Sequence, residues 1–210
     1  MLPFPDRRTA GRLLAEKLKG FSSQRAVVLG LPRGGVAVGH EVAALLDVPL
    51  DVIVTRKIGY PPSPELGVGA IAEGGLGPVF DDDLLYRLSL TPADLARVVA
   101  AEEEELARRV RVYRAGRPPP VVAGRCVIVV DDGLATGVTA RAALRSLRAA
   151  GADYLVLAVP VAPLAAAETM RDEADEVVII ATPRRFSSVG EWYLSFAQLT
   201  DADVIALLTS

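Results

Sequence analysis

The sequence has very little cysteine, histidine and lysine. Its 210 residues include one cysteine, Cys126, and one histidine, His40, and lysine occurs only at positions 17, 19 and 57. A single cysteine excludes an intramolecular disulfide and suits a reducing compartment. The lone histidine falls inside a predicted helix and receives no role. The scarcity of lysine draws attention to Lys57, which follows a predicted strand.

Long apolar runs and an excess of positive charge are also absent. No apolar stretch approaches the roughly 20 residues that span a membrane. Near the start, Asp6, Arg7, Arg8 and Arg12 interrupt the apolar residues, so the segment does not resemble a secretory signal. The formal net charge is −3, which implies no general affinity for nucleic acid. We expect a cytoplasmic protein without nucleic-acid or membrane partners, and the sequence leaves homo-oligomer formation open.

The composition is that of an ordinary globular α/β protein, with 51% hydrophobic and 23% charged residues. The length favours a single domain. Buried strands are predicted at residues 26–29, 50–55, 127–130, 154–159 and 176–181. Helices are predicted between them, the first capped by Thr9. This alternation predicts a mostly parallel open sheet with helices on both faces.

Three common loop motifs are missing from the chain. No G-x-x-x-x-G-K-[ST] loop and no G-x-G-x-x-G fingerprint occur, which argues against those two modes of nucleotide binding. No G-x-S-x-G elbow occurs either, so the nucleophile of an α/β hydrolase is not indicated.

One stretch, residues 126–140, has the features of a binding loop. It reads CVIVVDDGLATGVTA: an apolar strand, two adjacent carboxylates, a glycine- and threonine-rich loop and a predicted helix. Backbone N–H groups of such a loop, with the positive end of the helix, hold a phosphate dianion. The carboxylates are good acceptors for a ribose diol. The stretch therefore predicts a sugar-phosphate site, the alternative being an ordinary strand-to-helix turn with an acidic N-cap.

The nine residues DDGLATGVT resemble the motif with which type I phosphoribosyltransferases bind 5-phosphoribosyl 1-pyrophosphate (PRPP). The resemblance covers about residues 26–181 and implies the fold of that family, with a small hood from the chain termini. It implies that the acidic pair binds the 2′- and 3′-hydroxyls of ribose and that the loop binds the 5′-phosphate. The residues assigned in this way are Asp131, Asp132, Gly133, Leu134, Ala135, Thr136, Gly137, Val138 and Thr139.

A second glycine-containing loop, Arg33-Gly34-Gly35, follows the first predicted strand. In the family, the loop after the first core strand binds pyrophosphate. The resemblance therefore implies that Arg33 and the backbone of Gly34 and Gly35 contact this group. By itself the triplet also fits a tight turn with a solvated arginine. Both loops are expected at the carboxyl edge of adjacent strands, where open α/β sheets bind ligands.

The segment of about residues 56–75 is rich in proline and glycine. Residues 60–64 are expected to form a loop, and residues 65–75 contain too much glycine for an ordinary core strand. Type I enzymes carry a flexible loop here that closes over PRPP. The resemblance thus implies a mobile flap, with Lys57 and Arg56 joining Arg33 as catalytic residues that face pyrophosphate.

The expected organisation is one domain with a core of about residues 26–181 and a hood from about residues 1–20 and 183–210. In related enzymes such a hood covers the nucleobase, and an aromatic ring often stacks on it. Phe186, Trp192 and Tyr193 are the candidates for stacking. The alternative is that these rings simply cap the hydrophobic core.

The resemblance implies transfer of the phosphoribosyl group of PRPP to a nitrogen nucleophile such as a nucleobase, with Mg²⁺ held mainly by ligand oxygens and water. Ala135 stands where 6-oxopurine enzymes have an aspartate, which disfavours hypoxanthine and guanine. One alternative is a PRPP- or nucleotide-binding regulator with little turnover. A weaker one is a flavodoxin-like binding protein or hydrolase that uses the same sheet edge.

Overall fold

The computed structural model describes residues 2–22 and 25–209, and its strands form two sheets. The strands are β1 (Ala26–Gly30), β2 (Leu50–Val52), β3 (Thr55–Tyr60), β4 (Ser63–Ala72), β5 (Val79–Phe80), β6 (Cys126–Val130), β7 (Tyr154–Val161) and β8 (Glu176–Ala181). Five of them form a parallel sheet in the order β2-β1-β6-β7-β8, and β3-β4-β5 form an antiparallel sheet. The predicted mostly parallel α/β sheet is confirmed.

Seven α-helices surround the sheets within the described residues. They are α1 (Arg7–Leu18), α2 (Gly34–Leu46), α3 (Asp82–Arg87), α4 (Ala96–Arg114), α5 (Val138–Ala149), α6 (Leu164–Met170) and α7 (Asp201–Thr209). Helix α1 begins before the predicted cap, because the Asp6 carboxylate accepts a hydrogen bond from the Thr9 backbone N–H at 2.7 Å. Across the described part of the chain, no helix combines the length and apolar character needed to cross a bilayer.

The parallel sheet is buried on both faces because its strands are continuously apolar. On β1, Val28 packs toward α1 and α2, whereas Val27 and Leu29 pack toward α5 and α6. Strand β6 repeats this alternation, with Ile128 on the first face and Val129 on the second. Each such side chain removed from water contributes about 1.5–3 kcal/mol. This two-sided burial holds the carboxyl ends of β1 and β6 side by side.

The segment after β2 differs from the prediction. The predicted strand 50–55 ends at Val52, and the chain leaves the parallel sheet and starts β3 at Thr55. Residues 60–64 were predicted to form a loop and residues 65–75 not to form a core strand, but residues 63–72 form the ten-residue strand β4. The prediction was wrong because it counted glycine only as a strand breaker. A Cβ on Gly69 would lie 2.7 Å from a carbon of the Phe80 ring, so close packing of β5 requires glycine there.

A buried arginine joins the two sheets at the inner end of the β3–β4 hairpin. Arg114, at the end of α4, is 5% exposed. Its guanidinium donates to the carboxylates of Asp51 at 2.5 Å and Glu73 at 2.9 Å, and to the Val52 carbonyl at 3.0 Å. Because Asp51 belongs to the parallel sheet and Glu73 directly follows β4, this cluster fixes the hairpin to the core.

Two segments near the ends of the described chain, around Phe4 and Tyr193, meet beside the parallel sheet. Phe4 forms an isolated parallel bridge with Tyr193, and the two ring centroids are 5.5 Å apart. Phe4 and Tyr193 are buried together with Val161 of β7 and partly buried rings of the C-terminal segment. These two segments thus pack against the same part of the sheet, and their role as a hood over a ligand stays a prediction.

Replacing Arg114 with methionine is expected to destabilise the protein by about 3–5 kcal/mol, because two largely buried carboxylates lose their counter-charge. Denaturant unfolding measures the effect. Arg111, exposed one turn earlier on α4, is the matched control, and Arg111→Met should change the free energy of unfolding by less than about 0.5 kcal/mol. Equal effects of the two substitutions would contradict an anchoring role for Arg114.

Candidate functional site

The two loops singled out in the sequence lie together at the carboxyl edge of the parallel sheet. Strands β1 and β6 are adjacent and in register, with Gly30 beside Val130 at their ends. The loop Arg33-Gly34-Gly35 follows β1, and the acidic pair follows β6. The predicted placement of both loops on adjacent strands is confirmed.

The glycines of the first loop are required by contact with the second. A Cβ on Gly34 would lie far inside van der Waals contact of the Asp132 carboxylate. A Cβ on Gly35 would overlap the Val130 carbonyl oxygen and come within 2.8 Å of the Asp131 Cα. Any side chain at either position would therefore force the loops apart. The pair of glycines brings a bare backbone segment against the acidic pair.

The loop between β6 and α5 has a buried first half and an exposed second half. Gly133 and Leu134 are buried, and the Leu134 N–H donates to the Val161 carbonyl at 2.9 Å. Ala135 and Thr136 are exposed. Gly137 has φ +78° and packs against Met170, a conformation that favours glycine.

Helix α5 then starts at Val138, so the N–H groups of its first turn, including that of Thr139, have no acceptor within the helix. An open cavity of about 640 Å³ lies beside this loop, and its lining includes Thr136 and Arg141 but also the aspartates at positions 81–83. Exposed loop backbone and unpaired helical N–H groups suit an anion at the loop itself, whereas the aspartates disfavour one in the wider cavity.

The two carboxylates of the acidic pair have different surroundings. Asp131 accepts a hydrogen bond from the Asp132 backbone N–H at 2.8 Å. Burial, and next the charge of Asp132, raise the pKa of Asp131. Burial also raises the pKa of Asp132, but the Arg7 guanidinium, 2.7 Å from its carboxylate, acts in the opposite direction. Both carboxylates are partly buried, and groups with perturbed pKa values cluster at functional sites.

Arg33 reaches toward the C-terminal helix. One of its guanidinium nitrogens lies 3.9 Å from the Asp201 carboxylate at the start of α7, and its side chain is 39% exposed. The Tyr113 hydroxyl donates to the same carboxylate at 2.6 Å. A long and exposed ion pair of this kind contributes little, so the guanidinium is available to a ligand at the loop.

The side-chain alternation of β3 separates Arg56 from Lys57. Arg56 faces α4, where its guanidinium donates to the Glu102 carboxylate at 2.6 Å. Lys57 lies on the opposite face, directly across from Ala70 of β4, and Ala70 packs on Val138 at the start of α5. The structure thus brings Lys57, but not Arg56, to the side of the predicted phosphate loop.

The local contacts of Lys57 confirm which way its side chain points. A Cβ on Gly67 would lie 2.7 Å from the Lys57 Cδ and 3.8 Å from a Val138 methyl carbon. The ammonium donates to the Glu65 carbonyl at 2.8 Å. The side chain therefore lies along the hairpin beside α5.

The three tail aromatics are not equivalent. Tyr193 is 6% exposed, and its ring packs between Phe4 and Phe196, with centroid distances of 5.5 and 5.1 Å. Its hydroxyl donates to the Asp132 carbonyl at 2.6 Å. Burial, and next the charge of Asp132, raise the pKa of this hydroxyl. Tyr193 therefore holds the backbone of the acidic pair through its hydroxyl. Its ring is packed and cannot stack on a ligand.

Phe186 and Trp192 stack on each other, with centroids 6.2 Å apart and an interplanar angle of 22°. Both rings are partly exposed. They remain candidates for contact with a planar ligand.

Sequence reasoning missed Arg7, which the structure brings to the acidic pair from α1. The sequence interpretation treated this residue only as a charge that interrupts the start of the chain. No local pattern distinguishes Arg7 from Arg8, because the partner Asp132 is 125 residues away. Only the packing of α1 against the sheet, with Leu14 and Leu18 buried, brings them together.

The fold and the two contacting loops define an α/β protein with a candidate ligand site at the carboxyl edge of a parallel sheet. A family model described as "Phosphoribosyl transferase domain" matches residues 7–192. The chain belongs to this family. The match includes both loops, the hairpin and Arg7.

Two curated proteins of Mycobacterium tuberculosis, named "Putative phosphoribosyl transferase" Rv0571c and MT0597, are each 47% identical to the chain over 205 residues. The aligned region covers 98% of this chain and 46% of each relative. The chain therefore spans about half the length of the curated relatives it matches.

Two solved structures have similar folds. TT1426 from Thermus thermophilus is 44% identical, with a TM-score of 0.81 over 98% of this chain and 97% of that one. AQ2163 from Aquifex aeolicus has a TM-score of 0.53 over 88% of this chain and 78% of that one, at 12% identity. The second likeness shows the fold alone.

The raised pKa of Asp131 predicts that Asp131→Asn stabilises the ligand-free protein near neutral pH. The folded protein holds this proton more tightly than the unfolded chain. As the pH rises above the unfolded value of about 3.9, the unfolded chain ionises first, and the free energy of unfolding falls until the folded carboxyl also ionises. Asparagine avoids this loss and can keep the hydrogen bond from the Asp132 N–H.

Thermal unfolding of Asp131→Asn should show a higher Tm than the unmodified protein at about pH 7, and this difference in Tm should shrink toward about pH 4. Each kcal/mol of added stability should raise Tm by roughly 2–4 °C. Asp153→Asn, at an exposed aspartate, is the control and should leave Tm unchanged at both pH values. A lower Tm for Asp131→Asn at neutral pH would mean that the ionised carboxylate stabilises the fold.

Proposed function

We propose that the chain transfers the 5-phosphoribosyl group of PRPP to a nitrogen nucleophile of the nucleobase type. In this reaction a bond forms between that nitrogen and C1 of the ribose, and the bond between C1 and the pyrophosphate oxygen breaks. Pyrophosphate leaves with the electron pair. The observation that carries the proposal is the contact between the bare Gly34-Gly35 backbone and the acidic pair at one sheet edge.

We assign each part of PRPP to a group at this edge. Asp131 and Asp132 would accept hydrogen bonds from the ribose hydroxyls, and residues 133–139 would hold the 5′-phosphate. Arg33 and the backbone of Gly34 and Gly35 would face pyrophosphate. Catalysis would rest on positioning and on stabilisation of charge as pyrophosphate leaves. The family membership of the chain supports this assignment.

Mg²⁺ is proposed to enter with PRPP. Over residues 2–22 and 25–209, no group of three or more acidic, histidine or cysteine side chains gathers into a metal site. Mg²⁺ commonly binds through one or two carboxylates together with phosphate oxygens and water. Here PRPP oxygens and water would supply most of the ligands, and the acidic pair would stay with the ribose hydroxyls. The ion would neutralise charge on the phosphates.

The hairpin and the terminal segments complete the proposed site. Residues of about 56–75, which form the β3–β4 hairpin, would act as the flexible element that closes over PRPP. About residues 26–181 would form the core of a single domain, with about residues 1–20 and 183–210 as the hood. Phe186 and Trp192 would contact the base, and Ala135 disfavours hypoxanthine and guanine as acceptors.

Calorimetry with PRPP and Mg²⁺, followed by turnover assays with adenine, uracil, guanine and hypoxanthine, tests the proposal. We expect PRPP binding, pyrophosphate release with at least one base, and little activity with the two 6-oxopurines. Loss of binding in a double Asp131→Asn, Asp132→Asn variant that remains folded would support the ribose assignment. Absence of PRPP binding by the unmodified protein would overturn the proposed function.

A second candidate function is a PRPP-binding regulator with little turnover. The engagement of Arg56 by Glu102 favours it, because one fewer cation is free to stabilise a leaving group. PRPP binding without pyrophosphate release for any base would identify this case.

If the chain is a transferase, Lys57→Ala should lower kcat by roughly 10²-fold, about the size of a lost preorganised charge contact. PRPP affinity should change far less, because the charge on pyrophosphate develops mainly as the bond breaks. Arg56→Ala is the comparison variant, and its effect on kcat should be much smaller because this side chain faces α4. Equal losses of kcat in the two variants would contradict the separation of their roles.

A further inference from the structure

Arg7 lies where the N-terminal helix, the acidic pair and the C-terminal segment meet. Its Nε donates to Asp132 Oδ2 at 2.7 Å, and its Nη1 donates to the Ala197 carbonyl at 2.8 Å. Its guanidinium carbon lies 3.8 Å from the centroid of the Phe196 ring. The side chain is only 12% exposed.

This ion pair belongs to the site and not to the outer surface of α1. A Cβ on Gly34 would overlap Asp132 Oδ2 and lie 3.0 Å from Arg7 Nε. The Arg7 guanidinium, the Asp132 carboxylate and Gly34 of the first loop therefore contact one another. The other arginines of the helix behave differently: Arg8 and Arg12 both pair with Glu41, and their side chains are 69% and 54% exposed.

We propose that Arg7 is a positioning residue for the ribose-binding pair, holding the Asp132 carboxylate in one orientation so that both aspartates can accept hydrogen bonds from the substrate. This inference rests on the proposed function, because it takes the ribose diol of PRPP as the ligand of the pair. The bond from Arg7 uses Oδ2 and leaves the second oxygen of Asp132 outside this ion pair.

The physical need for such a residue follows from the pair itself. Two adjacent carboxylates shielded from water repel each other, and one of them takes up a proton unless a cation is near. The groups that face Asp132 are Asp131 from the same loop, the Arg7 guanidinium from α1 and the Tyr193 hydroxyl from the C-terminal segment. Of these, Arg7 is the cation. A protonated carboxyl would lose an acceptor that the ribose needs.

An arginine suits this position better than a lysine. Its planar guanidinium donates in two directions, to Asp132 and to Ala197, while its face rests on Phe196. A lysine ammonium can pair with Asp132 but cannot keep this fixed plane. The orientation of Asp132 is thus set by both ends of the described chain together.

The first test compares PRPP affinity, with Mg²⁺ present, in the unmodified protein and in Arg7→Met. We expect Kd to rise about 10- to 100-fold, as for a lost hydrogen bond to a charged group. Arg7→Lys should recover part of this loss. Arg8→Met removes the same charge from the same helix and should leave Kd unchanged. An unchanged Kd in Arg7→Met would overturn the inference.

A double-mutant cycle separates positioning from general damage to the hood. If Arg7 acts through Asp132, Arg7→Met should have little further effect on Kd in an Asp132→Asn background. Full additivity of the two losses would overturn the inference, because Arg7 would then act independently of this carboxylate.

A measurement without PRPP keeps this inference distinct from the proposed function. Carbon-13 NMR titration of the aspartate carboxyls should show the acidic pair taking up its proton at higher pH in Arg7→Met than in the unmodified protein, and Arg7→Lys should lie between them. If the unmodified protein fails to bind PRPP, the proposed function fails. Independently of that result, an acidic pair that titrates at the same pH in Arg7→Met and in the unmodified protein would overturn the positioning role of Arg7.

Discussion

The contact between the Gly34-Gly35 backbone and the carboxyl end of β6 is the constraint on which the site depends. The two segments approach so closely that a methyl group at either glycine would overlap atoms of the Val130–Asp132 segment. This approach is held by the parallel pairing of β1 with β6 and by apolar packing on both sheet faces. A backbone segment without side chains thus lies directly against a pair of carboxylates, and the Gly35 N–H itself donates to the Leu31 carbonyl at 3.0 Å. In the proposed function this backbone segment would face pyrophosphate and the carboxylates would face the ribose hydroxyls.

Much of this arrangement can be predicted from the sequence because its signals are local. The apolar run before Asp131 and the glycines at 133 and 137 describe a strand, a loop and a helix within fifteen residues. Alternation of strands with helices then implies parallel order, and parallel order brings the ends of neighbouring strands to one edge. These rules bring both loops to one edge of the sheet, and the structure confirms the expected adjacency of their strands, β1 and β6.

The remaining features depend on contacts between distant residues. The hairpin strand β4 was missed because its glycines accommodate neighbours that the local sequence does not reveal, such as Phe80. The different directions of Arg56 and Lys57 depend on the register of β3, and adjacent basic residues look alike until that register is known. Arg7 and Asp132 are far apart in sequence, and Tyr193 looked like a ring for stacking until its burial placed its hydroxyl on the acidic pair.

The β3–β4 hairpin is anchored at its inner end, and its turn is exposed. The Glu73 carboxylate is held by Arg114, the N–H of this residue donates to the Val54 carbonyl at 2.8 Å, and its carbonyl accepts from the Ser146 hydroxyl at 2.6 Å. Beyond this anchor the hairpin is packed on both faces, with Ile58 and Val68 buried toward α4 and Ala70 packed toward α5. Residues 61–65 at the turn are exposed, and the pairing of β3 with β4 shifts register at Gly59, between the packed base and this turn. Because the Lys57 ammonium donates to the Glu65 carbonyl beside the turn, a displacement of the turn would move the ammonium while the packed base stays in place.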